Sequence, residues 1–484
     1  MRFTPRILQI ILYLGIAMPS AILAERIARG HVFGEENKIN FEKNVTKNTR
    51  LKLTVLEPCF ISSSGDENIQ NYREITDRTH KNTLEKIQGQ IIKNLNFVDL
   101  YEASQKIGTC REIRDYRFDS GDEDISDYIF SENFIDFNFV LSINIGLRSD
   151  NEMELRVLLW DISKGHFIAG KSYILIIDEK HSNAYKLSNV ISDFIFKETA
   201  GETMGLFDSR IMYISETGKP GNRKKQVVLM NFDGSRSAVI NGSSNIKLTP
   251  VFSRYNRDEV YYLEYLKDGP FIVRQNLKNG YLEKISNGQI MTSAAVCNPV
   301  KNVDQLILAG TEQEADTNLF LFDFIKNTNK KLTNREGINT SASFSPNGQK
   351  IVFVSNRDGG RKLYIMDMTT ARETLLSKSE GTYDKPSWSP DGKLIAFVKI
   401  AKGEFHIGLM TPEGDDITYL TKGFLIEGIR WSPNSRFIIY TKQASAFGLG
   451  SIPKIYIMDV LRKVEVMINT PENVGASDPD WIIN

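Results

Sequence analysis

The stretch Lys385-Pro386-Ser387-Trp388-Ser389-Pro390-Asp391-Gly392, with the apolar run Leu394-Ile395-Ala396-Phe397-Val398 behind it, decides the fold because it recurs. Ser341-Ala342-Ser343-Phe344-Ser345-Pro346-Asn347-Gly348 precedes Ile351-Val352-Phe353-Val354. Gly428-Ile429-Arg430-Trp431-Ser432-Pro433-Asn434-Ser435 precedes Phe437-Ile438-Ile439-Tyr440. A second run follows each copy: Leu363 to Asp367, Ile407 to Met410 and Ile455 to Asp459. Weaker copies are anchored at Phe252, Val296 and Trp481, so successive anchors stand 44, 48, 44, 43 and 50 residues apart.

A period near 44 made of short β-rich runs is the pattern of a four-stranded propeller blade. In Ser389-Pro390-Asp391-Gly392 the proline fixes φ and the glycine accepts φ > 0, which turns one strand tightly into the next. The Trp or Phe ahead of the turn suits the wedge between neighbouring sheets, and the β-branched run after it suits a strand covered on both faces. Helical repeats do not fit, because proline and glycine recur in each unit and no 3.6-residue periodicity spans it. Ile211 to Ser215 and Val227 to Asn231 read as second and third strands with no opening strand before them. Trp481 has an opening strand and nothing after it. The C-terminal strand is therefore expected to complete the first blade, closing a ring of six and removing its free edges.

The predicted architecture is mainly β: a six-bladed β-propeller over residues 206–484, preceded by a small α+β domain over 46–205. In that domain Leu51 to Leu56 alternates as a strand, and Leu84, Ile87, Ile91 and Leu95 share one helical face. Phe139 to Ile145 and Glu154 to Trp160 read as a hairpin, and Asn183 to Thr199 as a second helix ended by Gly201 and Gly205. Residues 25–45 read as a flexible arm. In residues 1–24, Arg2 and Arg6 flank a short polar start, then an apolar run from Ile7 to Met18 is followed by small residues ending at Ala24, which makes a secretory signal peptide cleaved after Ala24. The competing reading is an uncleaved anchor, but the run is short of the ~20 residues a spanning helix needs. The chain is therefore expected to be exported.

The 484 residues carry 60 basic and 60 acidic side chains, a net charge of zero that removes the main motive for nucleic-acid binding. Hydrophobic residues are 41%, enough for a packed core. Export permits disulfides, and Cys59 with Cys110 is a conceivable pair, but Cys59, Cys110 and Cys297 show no metal or redox spacing. His31, His80, His166, His181 and His406 are at least fifteen residues apart, and no zinc motif, nucleophile elbow, P-loop or dinucleotide fingerprint is present. Asp119 to Asp124 lacks the ligand spacing of a calcium loop, and Asp415-Asp416 falls in an inter-strand turn. No enzyme, cofactor or metal is expected. Propellers bind where loops converge on the central channel. The residues just before the inner strands, Thr340, Ser341, Tyr383, Asp384 and Glu427, are the candidates to face one mouth.

The chain resembles the TolB family of the Tol–Pal envelope system. The resemblance rests on Trp160-Asp161-Ile162-Ser163-Lys164-Gly165, on Ile191-Ser192-Asp193 leading to Thr199-Ala200-Gly201-Glu202, on Phe207-Asp208-Ser209-Arg210-Ile211, and on the blades that follow. It implies a non-enzymatic periplasmic adaptor, peripheral to the envelope membranes, for outer-membrane integrity and cell division. The propeller mouth would bind the peptidoglycan-associated lipoprotein Pal, and other outer-membrane lipoproteins. The arm after the signal peptide, Glu25-Arg26-Ile27-Ala28-Arg29-Gly30, would engage TolA. The alternatives are a propeller-gated hydrolase, for which residues 46–205 supply no nucleophile elbow, and a propeller binding a small ligand in its channel.

Overall fold

The computed structural model describes residues 50–60, 78–107, 128–130, 132–149, 151–178, 181–218, 223–285, 291–311, 316–334, 336–447 and 449–483. The signal peptide, the arm with Glu25 to Gly30, Cys110 and the acidic 119–124 stretch lie outside them.

The first unit is a single mixed sheet under two helices. Its strands are β1 (Leu51–Leu56), β2 (Cys59–Phe60), β3 (Tyr101–Lys106), β4 (Phe139–Ser149), β5 (Glu152–Asp161) and β6 (His166–Ile176), in the order β3-β1-β4-β5-β6 with β2 on β4. β1 runs parallel to β3 and β4, and β4, β5 and β6 form an antiparallel meander. Helix α1 (Arg78–Phe97) and helix α2 (Ser182–Ala200) pack together on one face. Their apolar stripes, Leu84-Ile87-Ile91-Leu95 and Leu187-Ile191-Phe194-Ile195, are buried where the i, i+3, i+4 spacing puts them.

Six four-stranded antiparallel sheets follow. Their inner strands are Gly475–Ile483, Lys247–Phe252, Met291–Cys297, Asn339–Phe344, Thr382–Trp388 and Leu425–Trp431, for blades 1 to 6 in turn. Blade 1 takes its inner strand from the far end of the chain: Trp481 pairs with Ile211 and Ile483 with Ser209. The turns behave as their residues dictate, with Gly348 at φ 69° and Gly392 at φ 78°. The anchors fill the wedges. Trp388 packs with Val352, Val354 and Phe397 between blades 4 and 5, and Trp431 with Val398, Leu409 and Tyr440 between blades 5 and 6.

Blade-to-blade hydrogen bonds tie the wedges together from the position just before each anchor. Ser343 Oγ accepts from Trp388 N at 3.0 Å, and Asp480 Oδ2 accepts from Phe252 N at 2.7 Å. Asp480 is buried and also holds Arg254 of blade 2 at 2.9 Å, so the last strand is pinned to its neighbour by a charge as well as by its ladder.

The α+β unit and the ring share one hydrophobic core, through Phe97–Phe232 at 5.1 Å, Phe207–Phe232 at 5.6 Å and Phe232–Trp481 at 5.9 Å. Asp193 on α2 accepts from the backbone N–H groups of Leu206, Phe207 and Asp208, which fixes the connecting segment. Arg436, 3% exposed, bridges Asp459 and Glu202 at 3.0 Å each. Lys93 reaches Asp233 at 2.7 Å, and Arg462 Nη1 donates to Asp99 O at 2.6 Å. Strands alternate in direction within a blade, so inner and third strands end on the same rim. Phe232, Asp233, Arg436 and Arg462 all follow such ends, in blades 1 and 6. The α+β unit therefore covers one rim there, and the opposite mouth, where the inner strands begin, faces away from it.

Candidate functional site

That opposite mouth carries the candidate residues. Each inner strand breaks register at one place: between Ser477 and Asp480, Leu248 and Val251, Thr292 and Ala294, Thr340 and Ser343, Asp384 and Ser387, and Glu427 and Arg430. The break sits at the same distance from the anchor in all six blades. Its first unpaired residue is left-handed in five: Thr249 (φ 46°), Ser341 (51°), Lys385 (48°), Gly428 (64°) and Asp478 (49°). A non-glycine residue there costs of order 1 kcal/mol or more, and a bulge re-aims the side chains beside it. Six such bulges ring a channel of about 60 Å³, lined by Thr249, Ser341, Lys385, Gly428 and Asp478 together with Ala295 and Val296 of blade 3.

Thr340, Asp384 and Glu427 are the last paired residues before the bulge in blades 4, 5 and 6, and Ser341 is a bulge residue. They lie inside the inner strands, not ahead of them, because the strands extend past the bulge to Asn339, Thr382 and Leu425. Tyr383 is a correction. Strand alternation points it away from Asp384 and into the wedge, where it is 0% exposed and packs against Phe397, ring centroids 5.4 Å apart and tilted by 41°. It belongs to the core and does not face the mouth.

The others converge. Asp384 accepts from Arg361 at 2.5 Å and from Lys385 N at 2.8 Å, and Ser341 Oγ donates to it at 3.4 Å. Burial holds the Glu427 carboxyl above the ordinary glutamate range, Asp478 and Asp384 push it further, and Lys385 and Lys225 oppose them. Opposite charges are thus packed around a narrow hole. Outside them stands a partial apolar collar, made by Ile246 and Tyr265 of blade 2, Ile338 of blade 4 and Phe424 and Phe447 of blade 6, all exposed on the loops and strand ends of the same rim. Exposed apolar groups flanking a charged centre are the make-up of a protein-docking face. Lys385 and Asp478 escape a reading by loop position; the signal that finds them is the proline in Thr249-Pro250, Lys385-Pro386 and Asp478-Pro479, two residues before the anchor.

Among the described residues no group of three or more His, Cys, Asp or Glu side chains could hold a metal, and no helix is long and apolar enough to cross a membrane. Cys297 carries a free thiol that burial pushes up to about 12, so it stays protonated and unreactive.

Comparison with known proteins agrees with this geometry. A family model described as the TolB beta propeller domain matches residues 196–482. The Tol-Pal system protein TolB of Gluconobacter oxydans (strain 621H) is 31% identical over 332 residues, covering 68% of this chain and 71% of that protein. The crystal structure of TolB from Acinetobacter baumannii superimposes with a TM-score of 0.69 at 18% identity, over 90% of this chain and 96% of that one. At that identity the likeness concerns the fold.

Proposed function

The chain belongs to the TolB family, hence to the non-enzymatic proteins of the Tol–Pal system, and from that membership we propose a periplasmic adaptor whose open propeller mouth docks the peptidoglycan-associated lipoprotein Pal. Residues 1–24 export the chain, and the arm over 25–45, through Glu25 to Gly30, engages TolA. The α+β domain over 46–205 is the platform between the arm and the propeller over 206–484. Linking an outer-membrane lipoprotein to an inner-membrane protein serves outer-membrane integrity and cell division.

The observation that carries the reading is the asymmetry of the ring. One rim is covered by the α+β unit, and the other presents Asp384, Glu427, Lys385 and Asp478 within a partial, exposed apolar collar. A partner that seats apolar groups on the collar and complements the charged centre gains both buried area and register.

The test is recovery of the soluble Pal domain on immobilised protein, comparing the unaltered chain with Asp384→Lys combined with Glu427→Lys. The pair should lose binding by about tenfold or more, and Glu427→Gln alone, which leaves the Arg361–Asp384 pair in place, should weaken binding while its melting temperature holds. Equal recovery by both, or none by the unaltered chain, contradicts the adaptor reading.

A further inference from the structure

A second site lies away from the mouth, in the cleft where the α+β unit meets blade 1. A cavity of about 230 Å³ opens there between α1, the start of α2 and the turn after the third strand of blade 1. Lys86, Gln90, His181, Tyr185 and Arg236 line it. No carboxylate is among them, and neither Lys86 nor Arg236 has a carboxylate partner among the described residues. Arg236 is held by the Tyr185 ring, with its guanidinium carbon 4.9 Å from the centroid.

The acids nearby are already engaged. Asp233 accepts from Lys93 at 2.7 Å, Gln90 at 3.2 Å, Tyr185 at 3.0 Å and Ser235 N at 3.0 Å. Asp178 caps α2, accepting from Ser182 N at 2.9 Å and Asn183 N at 3.0 Å. The helix terminus is thus satisfied within the chain, and the positive character of the cleft comes from side chains. Among the described residues that line or flank the cavity, Lys86, Lys93 and Arg236 stand against Asp233 and Asp178, a net positive charge.

His181 supplies the complementary function. Thr83 has one hydroxyl proton, which it donates to Thr79 O at 2.8 Å, so at its 3.2 Å contact with His181 Nδ1 the hydroxyl accepts. Neutral His181 is therefore the Nδ1–H tautomer, and its Nε2 lone pair is left for a ligand. Two cations without a carboxylate partner among the described residues, beside one ring nitrogen able to accept a hydrogen bond, match an oxyanion that brings both negative oxygens and a hydroxyl.

We propose that this cleft binds a phosphate-class oxyanion, either as free monohydrogen phosphate or as a phosphatidylglycerol headgroup, in which a glycerol hydroxyl takes the place of the phosphate's own. Its ligands come from both units, so occupancy clamps the α+β unit to blade 1 and stabilises the pair by mass action.

The whole exported chain is titrated with inorganic phosphate at constant ionic strength, followed by calorimetry and by thermal unfolding. In a parallel arm it is floated with phosphatidylcholine vesicles with and without phosphatidylglycerol. The comparison protein is Lys86→Gln combined with Arg236→Gln, two exposed positions whose replacement leaves the core intact. Saturable phosphate binding with a rising melting temperature, about tenfold weaker in the double variant, identifies the free anion. Vesicle binding that needs phosphatidylglycerol and is lost in the double variant identifies the headgroup. If the unaltered chain responds to neither probe, or the double variant responds equally, the site does not exist.

Discussion

The two ends of the ring are built from the same repeat and have opposite characters. At the covered end the seam with the α+β unit is held by paired charges: Arg436 lies buried between Asp459 and Glu202, Asp193 takes three backbone N–H groups, and Lys93 meets the buried Asp233. At the open end Asp384, Glu427, Lys385 and Asp478 crowd a narrow channel, on or beside backbone that non-glycine residues adopt at a cost. The first end is spent on cohesion and the second is held ready for a partner. Stability and binding should therefore separate by end, and substitutions can break or sharpen that division.

The largest effect is expected from removing residues 477–484, which takes away most of the inner strand of blade 1 and reopens the ring. Cooperative thermal unfolding should be lost; an unchanged melting curve breaks the closure. Within that strand, Trp481→Ala should cost about 3–5 kcal/mol, since the indole is fully buried between the ring and the aromatic cluster of the α+β interface.

Next is Arg436→Met, which strands two carboxylates beside the shared core and should cost about 3–5 kcal/mol by urea unfolding. Adding Glu202→Gln and Asp459→Asn should restore much of the loss. If the single substitution is neutral, the covered end is not held by this triad.

Asp233→Asn is expected to cost about 2 kcal/mol at neutral pH and to flatten the acid limb of stability. The carboxyl is buried, which alone would raise its pKa, but Lys93 and Ser235 hold it down to about 2 against 3.8 unfolded. Its contribution is complete above pH 4 and fades as pH falls toward 2. An unaltered acid limb in the variant contradicts this assignment.

The smallest stability effect should come from Glu427→Gln at the open end, within about 0.5 kcal/mol at neutral pH. Because its folded pKa is raised, the carboxyl favours the fold only while protonated, and that favour is lost as pH rises through the folded value. The variant should lose this dependence while weakening partner binding. A large loss of stability here erases the division between the two ends.

The ring was legible because its determinants are local. Ser389-Pro390-Asp391-Gly392 turns the chain wherever it occurs, and Trp388 and Trp431 announce their wedges by size. Even the degenerate blade anchored by Val296 was placed by its spacing. The bulges were not legible. Their left-handed φ falls on Thr249, Ser341, Lys385 and Asp478, and only Gly428 carries the residue type that announces it. Tyr383 and Asp384 are neighbours in sequence that point to opposite faces, Tyr383 fully buried and Asp384 half-buried, a difference that follows from pleat and register and that reading by loop position misses. Arg436 follows a turn like any other basic residue in sequence, and its burial exists only because the α+β unit lands on it.

The most direct measurement is hydrogen exchange of the whole chain with and without the soluble Pal domain. Protection should appear at 337–341, 383–385 and 424–428, the beginnings of the inner strands, with the turns at 432–436 and 460–463 unchanged. Protection confined to those turns, to the outer strands or to the α+β unit would place the partner elsewhere and contradict the account.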